Sequence, residues 1–302
     1  MRGFKYSVLL VSTLSVVMAQ DAESEWEYHL PETGLLPSAF FVRYVSNMGE
    51  RHGGSSMGWQ QYELTVPFAD PRRTGCGDWY VNAALDVKLT HVQASGALEV
   101  PQEMLHMMRL PVSLIHPMRG GRRLIMALAP TVTGDGTWDP HCFDVGGYVN
   151  YAVELSDTLS YSVGAAFSPR LMQYGIIPAF SVHWKPAEDW VVNWVGYDLR
   201  VMRQMGVEGL SVGVFASGMG GYWSVHTEGG ERLMRIRTLA MGVALEYDFS
   251  CPGQTKRILM AELGSTVATT LDYCRFTRDN ERVEGHHFHP GFYVAAGVDF
   301  RF

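Results

Sequence analysis

Apolar and polar residues alternate along most of the chain, which is the pattern of β-strands, because successive side chains of a strand point to opposite faces. From Trp79 to Leu89 every second residue is apolar, and the residues between them include Asp86 and Lys88. In an α-helix the same apolar residues would be spread around the whole axis, so a period of two predicts a strand with one polar face. The segment from Leu239 to Phe249 repeats the pattern.

About twelve segments show this alternation, and an even number places both chain ends on the same side of a membrane, as single-chain bacterial barrels require. Ten or fourteen strands also fit, because residues 39–47 form a further candidate strand and residues 208–226 are long enough for two. Residues 271–287 are predicted as the one clearly long loop. The predicted strands lie near residues 58–68, 77–92, 105–115, 122–133, 143–155, 158–168, 174–184, 190–200, 208–226, 233–249, 257–270 and 288–302.

The beginning of the chain is typical of a secretory signal peptide. Arg2 and Lys5 form its positively charged start, residues 6–17 form its apolar stretch, and cleavage is expected after Ala19. The apolar stretch is shorter than the ~20 residues that a membrane-spanning helix needs. We therefore expect a signal peptide at residues 1–19, a periplasmic lead segment at 20–56 with at most one strand, and a barrel at 57–302.

The last strand alternates up to an aromatic final residue and resembles the closing strand of bacterial outer-membrane barrels. In those barrels a terminal Phe is part of the signal that the assembly machinery reads, so the resemblance implies this role for Phe300 and Phe302. Short motifs across most of the mature chain resemble an uncharacterised family of outer-membrane β-barrel proteins. That resemblance implies a barrel and brings no activity. The motifs are Glu63–Pro67, the hairpin Tyr151–Gly164, Ile177-Pro178, His183–Pro186 and Trp190.

These features predict an all-β protein that folds as a single antiparallel transmembrane β-barrel in the bacterial outer membrane. Closure of the sheet is expected because only a closed barrel satisfies every backbone hydrogen bond in lipid. The expected partners are outer-membrane lipids, lipopolysaccharide and the barrel assembly machinery. Arginines at predicted outward rims suit lipopolysaccharide phosphates, although solvated loop charges explain them equally well. These arginines are Arg72, Arg73, Arg119, Arg122 and Arg123.

The composition of the chain argues against two classes of protein, disordered chains and general nucleic-acid binders. Hydrophobic residues make up 47 % of the chain, charged residues make up 18 %, and the net charge is −7. Such a chain is too apolar for intrinsic disorder. It is also too acidic for general nucleic-acid binding, which requires a basic footprint. The sequence indicates no cofactor.

Charged residues on the polar faces of the predicted strands are the candidate lining of the lumen. Because both signs are present, they either line a narrow wet pore or pair across a closed interior. A passive channel for small solutes is the favoured function, and a structural or surface-binding barrel with a closed lumen is the alternative. A membrane-embedded lipid hydrolase is less favoured, because Ser211 of the G-x-S-x-G motif lies in mid-strand. The lumen candidates are Glu63, Asp86, Lys88, Arg109, Glu154, Glu246, Asp299 and Arg301.

Two groups of residues offer ligands for metal ions. His286, His287 and His289 form the densest cluster, in which His287 and His289 would share one face of a strand. Polar residues at the start of the last strand are the favoured interpretation of this cluster. Asp135 and Asp139 offer oxygen ligands for calcium, but their spacing matches no EF-hand loop and a polar turn is favoured.

The four cysteines fit an oxidising compartment. The sequence does not choose among the three ways of pairing them. In a topology of twelve strands Cys76 lies in the first outward loop and Cys274 lies near the last, and closure of the barrel brings these loops together. We therefore hypothesise a disulfide between Cys76 and Cys274.

Overall fold

The structure is a computed structural model of the chain. The predicted signal peptide, Cys76 and Phe302 lie outside the residues that the structure describes. No helix among the described residues is long and apolar enough to cross a membrane. The described residues are 38–68, 72–74, 78–101, 104–137, 139–167, 176–227, 230–250, 256–276 and 282–301.

Within the described residues, seventeen strands form one antiparallel sheet that closes on itself. The ring closes because the first strand pairs with both the second and the last, with Ser38 opposite Phe300 and Ala39 opposite Thr65. The strands are β1 (Ser38–Gly49), β2 (Ser56–Pro67), β3 (Arg72–Arg73), β4 (Tyr80–Ser95), β5 (Leu105–Arg109), β6 (Val112–Met118), β7 (Arg122–Gly134), β8 (Phe143–Ser156), β9 (Leu159–Phe167), β10 (Ile176–Ala187), β11 (Trp190–Val195), β12 (Asp198–Gln204), β13 (Leu210–Thr227), β14 (Gly230–Asp248), β15 (Lys256–Cys274), β16 (Arg282–Phe288) and β17 (Phe292–Arg301), with a 3₁₀ turn at Pro140–Cys142.

About fourteen strand positions lie side by side around the ring, because some of the seventeen short or interrupted strands occupy one position together. β5 and β6 both pair with β4 and β7, so they form two halves of one position that is interrupted at Leu110 and Pro111. Proline has no N–H to donate to a neighbouring strand, so an interruption of the ladder accommodates it. β16 and β17 likewise share the position beside β15. The short β3 pairs with β4, as β2 does.

The predicted single antiparallel barrel is confirmed, with about fourteen positions where the sequence favoured twelve. One added position is β1, which the sequence placed in the lead segment, so the barrel includes Ser38 and does not begin at residue 57. The other comes from residues 190–200, which form parts of two strands joined by a turn at Gly196 and Tyr197. Gly196 has a φ of 56°, and the turn explains why this segment alternates poorly.

Two further expectations concern the length of the last strands. Of the predicted segment 208–226, residues 210–226 belong to the single strand β13 and not to two strands. The long loop predicted at 271–287 was wrong over most of its length, because β15 continues to Cys274 and β16 begins at Arg282.

The outer wall of the barrel is apolar. Along β14, the exposed fractions of Met241, Val243 and Leu245 are 47 %, 53 % and 41 %, whereas Ala240 and Ala244 are buried against the interior. A row of large exposed apolar side chains that alternates with inward residues is the pattern of a transmembrane barrel strand. In water the same continuous apolar surface would be unfavourable. The wall therefore faces lipid.

The barrel wall differs in height around the ring. The described chain starts at Ser38 and ends at Arg301 on one side of the barrel, here called the terminal end, and the opposite side is the distal end. β11 and β12 have 6 and 7 residues, whereas β13, β14 and β15 have 18, 19 and 19. Leu199 near the start of β12 pairs with Ala216 of β13. β13 therefore extends toward the distal end well beyond its short neighbour.

Replacing Val243 by Arg tests the lipid-facing wall. We expect a loss of about 2–4 kcal/mol in the free energy of unfolding, because an arginine at mid-wall must enter the hydrocarbon layer. Equilibrium unfolding by urea of the protein folded into phosphatidylcholine vesicles measures the change.

Val207 provides the matched control, because it is 59 % exposed in the turn between β12 and β13 at the terminal end. Val207→Arg is expected to change the free energy of unfolding by less than about 0.5 kcal/mol. A change this small at both positions would mean that the wall faces water, and would contradict the membrane assignment.

Candidate functional site: a charged lumen with a closed distal end

The inward face of β1, β2 and β4 carries a group of paired charges. Lys88 Nζ lies 3.1 Å from Glu63 Oε1, and the Arg43 guanidinium contacts Glu63 Oε2. Glu63 and Lys88 are opposite each other in register, so they share the inward face. One carboxylate thus links three neighbouring strands through two cations.

Two more of the predicted lumen carboxylates have arginine partners. The buried Asp86 accepts hydrogen bonds through Oδ2 from Arg109 Nε at 2.9 Å and from Arg109 Nη2 at 2.6 Å. Glu154, near the terminal rim, accepts a hydrogen bond from Arg123 Nη2 at 2.8 Å. These charge-assisted bonds are stronger than neutral ones and keep the side chains along the wall.

A second network joins β12, β14, β15 and β17. Arg200 Nη1 lies 3.0 Å from Glu246 Oε1, and Arg200 Nη2 contacts Glu262. Tyr293 Oη donates a hydrogen bond to Glu262 Oε2 at 2.5 Å. A single guanidinium therefore bridges strands that lie on both sides of β14.

The last two predicted lumen residues lie at the terminal end. Asp299 is 4 % exposed and lies opposite Ile258 on the inward face. Arg301 is the last residue of β17, opposite Lys256 in register. All eight predicted residues thus belong to barrel strands, and six of them lie in the paired groups described above.

Tyr293 and three charged members of these groups were not predicted from the sequence, and Arg123 was predicted at an outward rim. Arg43 was missed because β1 was assigned to the lead segment, and Arg200 was missed because residues 190–200 were taken as one strand. Glu262 had a usable signal, since it is a single carboxylate between Ala261 and Leu263 in a predicted strand.

The distal half of the lumen is filled by apolar side chains. Trp59 and Trp223 project into it and are 1 % and 0 % exposed. Interiors packed in this way hold few voids larger than a water molecule. The lumen is therefore closed at this level. The core also includes Val45, Met48, Met57, Val92, Leu105, Met234, Ile236, Leu271, Phe288 and Tyr293.

The tall hairpin β13–β14 bends across the distal end. The bend lies at Gly220, whose φ is 122°, and a Cβ at this position would lie 2.0 Å from the carbonyl oxygen of Ile236. Glycine is required there because other residues rarely adopt this backbone conformation. Beyond the bend, residues 221–225 and 233–236 are buried on both faces. We call residues 221–227 and 230–236 the lid.

The lid lies between two walls of the barrel. One of its faces joins the lumen core through Trp223. Its other face lies against the inward side of the opposite wall, where Tyr222 Oη donates a hydrogen bond to Asp144 Oδ2 at 3.0 Å. The backbone N–H of His226 donates to Asp135 Oδ2 at 2.8 Å. The lid is therefore held on both faces and closes the distal end.

A polar cluster fastens the tip of the lid to the loop that follows β7. His141 Nδ1 lies 2.8 Å from Glu231 Oε1 and 3.7 Å from Asp139 Oδ1. Ser224 Oγ lies 3.3 Å from Asp139 Oδ2 and 3.1 Å from Glu231 Oε1. Together with the neighbouring contact between Asp135 and His226, this cluster is the chief polar attachment of the lid. We call the two together the latch, and its residues are Asp135, Asp139, His141, Ser224, His226 and Glu231.

Two carboxyls of the latch have lowered pKa values. Burial raises the pKa of Asp135, but hydrogen bonds from the backbone N–H groups of His226 and Thr137 outweigh it, so the pKa lies below its ordinary value. Burial also raises the pKa of Asp139, but hydrogen bonds from the Cys142 thiol, the backbone N–H of His141 and the Ser224 hydroxyl bring that pKa below the ordinary value. Both carboxyls are therefore charged at neutral pH.

The surface that receives the lid is acidic. Four carboxylates meet there, and in the part of the chain that the structure describes no lysine or arginine forms an ion pair with any of them. Their partners are histidines, hydroxyl and thiol groups, and backbone amides. Among the described residues, the lid is therefore attached here without the permanent positive charge of a lysine or an arginine. The four carboxylates are Asp135, Asp139, Asp144 and Glu231.

The structure does not bring the predicted histidine cluster together. The ring nitrogens of His286 lie 2.7 Å from Glu50 Oε1 and 2.9 Å from Glu284 Oε1. His287 and His289 are exposed. Among the described residues, the one group of three potential metal ligands with all ligand atoms within 4.8 Å of one another lies in the latch, at Asp139, His141 and Glu231.

The hypothesised disulfide finds no support in the structure. Cys274 carries a free, buried thiol at the distal end. Cys76 lies outside the described residues, but Thr74 and Asp78 on either side of it lie in the connection at the terminal end. Thr74 and Asp78 lie at the opposite end of the barrel from Cys274, because β1 adds one crossing before all three and the second strand within residues 190–200 adds another before Cys274 alone. The predicted pairing assumed one shared end.

β1 also changes the end of the barrel at which three predicted rim arginines lie. Arg119, Arg122 and Arg123 lie in or beside the turn between β6 and β7 at the terminal end, and not at the opposite rim.

Ser211 lies at the terminal end of β13, whereas the backbone N–H of His289 donates to Gly49 at the distal end. Ser211 and His289 therefore do not form a catalytic pair.

Comparisons with known proteins give no family. No family model matches the chain. No curated protein matches it either.

Solved structures with a similar fold include outer-membrane proteins. A channel from Pseudomonas putida F1 has a TM-score of 0.41 and 12 % identity, over 91 % of this chain and 100 % of that chain. Outer membrane phospholipase A from Escherichia coli has a TM-score of 0.37 and 11 % identity, over 95 % and 96 %. OpdQ from Pseudomonas aeruginosa has a TM-score of 0.31 and 9 % identity, over 87 % and 97 %. Similarities this low carry no information on substrate or activity.

Replacing Asp135 by Ala tests the attachment of the lid. The variant loses the acceptor of the His226 backbone N–H, which belongs to the lid, and this loss costs about 1–3 kcal/mol of lid closure. The buried thiol of Cys142 lies beneath the latch and reports opening. We expect its alkylation rate to rise by about 5- to 150-fold, as measured by mass spectrometry of the labelled peptide.

Asp135→Asn serves as the control, because its single amide oxygen can still accept the N–H of His226 on the lid, although the N–H of Thr137, which donates to the other carboxylate oxygen, then loses its acceptor. Its effect on the alkylation rate should be clearly smaller. An unchanged rate in Asp135→Ala would mean that this contact does not hold the lid.

Acid should also release the lid. Because the pKa of Asp135 is lowered in the closed protein, its contribution is complete above the ordinary pKa of about 3.9 and is lost as the pH falls below it. A pyridyl disulfide that reacts with thiols in acid should modify Cys142 increasingly below about pH 4. In Asp135→Ala this increase should be smaller, and an identical profile in both proteins would exclude Asp135 as its origin.

Proposed function

We propose that the protein is a narrow, gated channel for small solutes in the bacterial outer membrane, and that the lid is its gate. The observation that carries the proposal is that a bent hairpin, and not the wall itself, closes the distal end. The hairpin has a glycine at its bend and a polar latch at its tip. A closure built as a separate, fastened element is suited to opening.

The width of the ring supports this proposal. Barrels of eight strands have interiors that side chains alone fill, whereas porins of 16–18 strands leave an aqueous channel. A ring of about fourteen strands lies nearer to the porins, so side chains projecting from the wall are not enough to close it. The folded-in lid supplies the missing volume, and its withdrawal leaves a passage.

The charges along the lumen fit small polar solutes. Arg43, Lys88 and Arg200 face the interior together with Glu63 and Glu246. Because these residues pair with one another, the wall presents both signs and no strong excess of either. We therefore propose weak selectivity between anions and cations. Lipids of the outer membrane surround the apolar wall, and assembly through β17 involves Phe300.

A closed barrel with a structural or surface-binding role is the second candidate. The apolar core around Trp59 and Trp223 favours it, because a water-filled passage has no need of buried tryptophans. In that case the lid remains shut. The two candidates differ in whether the lid ever leaves the lumen.

A reversible cross-link between the lid and the wall separates these candidates. Ser224 Oγ and Cys142 Sγ lie 3.3 Å and 3.4 Å from the same atom, Asp139 Oδ2. Ser224→Cys therefore places a thiol on the lid beside the native Cys142. In planar bilayers we expect discrete conductance steps from the reduced protein and silence after oxidation, because the disulfide holds the lid closed.

Ser224→Cys combined with Cys142→Ala is the control, and its conductance should not depend on oxidation. Silence from reduced, folded protein would favour the closed barrel. Unchanged steps after a cross-link confirmed by mass spectrometry would mean that the lid is not the gate.

A further inference from the structure

We propose that Asp139, His141 and Glu231 bind one divalent metal ion of the zinc class, which fastens the lid to the opposite wall. Asp139 and His141 belong to the loop after β7, and Glu231 belongs to the lid. An ion held by all three would therefore join the two parts directly. The inference holds whether or not the lumen conducts.

The spacing of the ligand atoms fits such an ion. Around a tetrahedral zinc with bonds of about 2.0–2.1 Å, neighbouring ligand atoms are about 3.3 Å apart. His141 Nδ1 lies 2.8 Å from Glu231 Oε1, and one ligand atom from each of the three residues lies within 4.8 Å of the other two. Small side-chain rotations bring them to the distances that zinc requires.

The ring nitrogen of His141 is an independent sign of a missing partner. His141 Nδ1 is shielded from solvent and forms no hydrogen bond within the described residues. Glu231 Oε1 lies 2.8 Å away without forming a hydrogen bond to this nitrogen. A buried imidazole nitrogen without a partner is costly. A metal ion between the nitrogen and the two carboxylates would satisfy it.

Charge leads to the same conclusion. The carboxylates of Asp139 and Glu231 both contact Ser224 Oγ, which has one proton and satisfies only one of them. No lysine or arginine among the described residues pairs with either carboxylate. A divalent cation balances the two negative charges.

Neighbouring groups hold the ligands in place, as outer contacts do at metal sites. The backbone N–H of Cys142 donates to Asp139 Oδ1 at 3.1 Å, which leaves Oδ2 with only the longer contacts to Ser224 and Cys142 Sγ. The His141 ring is stacked on Phe276 with 4.3 Å between ring centres. His141 is 45 % exposed, so water has access as a fourth ligand.

The donor set selects the class of metal. One imidazole and two carboxylates suit zinc and similar transition metals. Calcium prefers six to eight oxygen ligands, and magnesium binds through oxygen with several waters retained. We therefore expect Zn²⁺ to bind more tightly than Ca²⁺ or Mg²⁺.

The test is titration of Zn²⁺ into folded, EDTA-treated protein in detergent, by calorimetry and by elemental analysis of bound metal. We expect one Zn²⁺ per chain, and at least tenfold weaker binding in His141→Ala and in Glu231→Gln. Zn²⁺ should also slow alkylation of Cys142 in the wild-type protein, because the closed lid covers that thiol. A gel-mobility comparison of heated and unheated samples verifies that each variant is folded.

His286→Ala is the matched control, because His286 also lies between two carboxylates at the distal end. It should keep the wild-type affinity for Zn²⁺. Wild-type protein that binds no stoichiometric Zn²⁺, or wild-type affinity in His141→Ala, would overturn the proposal. Neither result involves conductance, so both leave the proposed gate to be judged by the Ser224→Cys experiment.

Discussion

Backbone groups inside a membrane must find their hydrogen-bond partners within the protein, and the rest of this structure depends on that requirement. It explains why β1 and β17 pair and close the ring. The requirement no longer applies outside the membrane. A strand that extends beyond its neighbour there leaves the backbone groups along its edge unpaired. β13 extends past the short β12 in this way, and an exposed strand edge invites association with other chains. Bending the hairpin inward at Gly220 covers that edge and closes the distal end at the same time.

The way in which the interior of the barrel is filled depends on the width of the ring. Toward the terminal end, charged residues of opposite sign pair along and between strands, as Glu63 does with Arg43 and Lys88. Toward the distal end, the lid and the wall form an apolar core around Trp223. The face of the lid turned to the opposite wall is different, because it meets carboxylates and is held by histidines, hydroxyls and amides. The closure is therefore strongest on its apolar face and most sensitive to conditions at the latch.

Strand identity and the inward or outward side of most residues were predictable, because the alternation has a period of two and one side faces lipid. The exceptions have physical causes. Residues 190–200 contain a turn at Gly196 that alternation alone does not reveal, and β1 was left optional. The omission of β1 reversed the end of the barrel assigned to Arg119, and the turn at Gly196 adds a crossing between Asp78 and Cys274. The latch was beyond prediction, because Asp139 and Glu231 lie far apart in the chain and meet only when the hairpin folds across the lumen. Asp139 itself was noticed, but without Glu231 a polar turn was the better interpretation.

The central claim is that the lid is a separate element that opens while the wall stays intact. Amide hydrogen exchange of the protein folded in lipid tests it most directly, by comparing residues 231–236 of the lid with residues 239–247 of the same strand β14. We expect the lid amides to exchange together and faster than the wall amides, because their opening requires only release of the lid. Equal protection along the whole of β14 would contradict it, since the hairpin would then open only when the barrel unfolds.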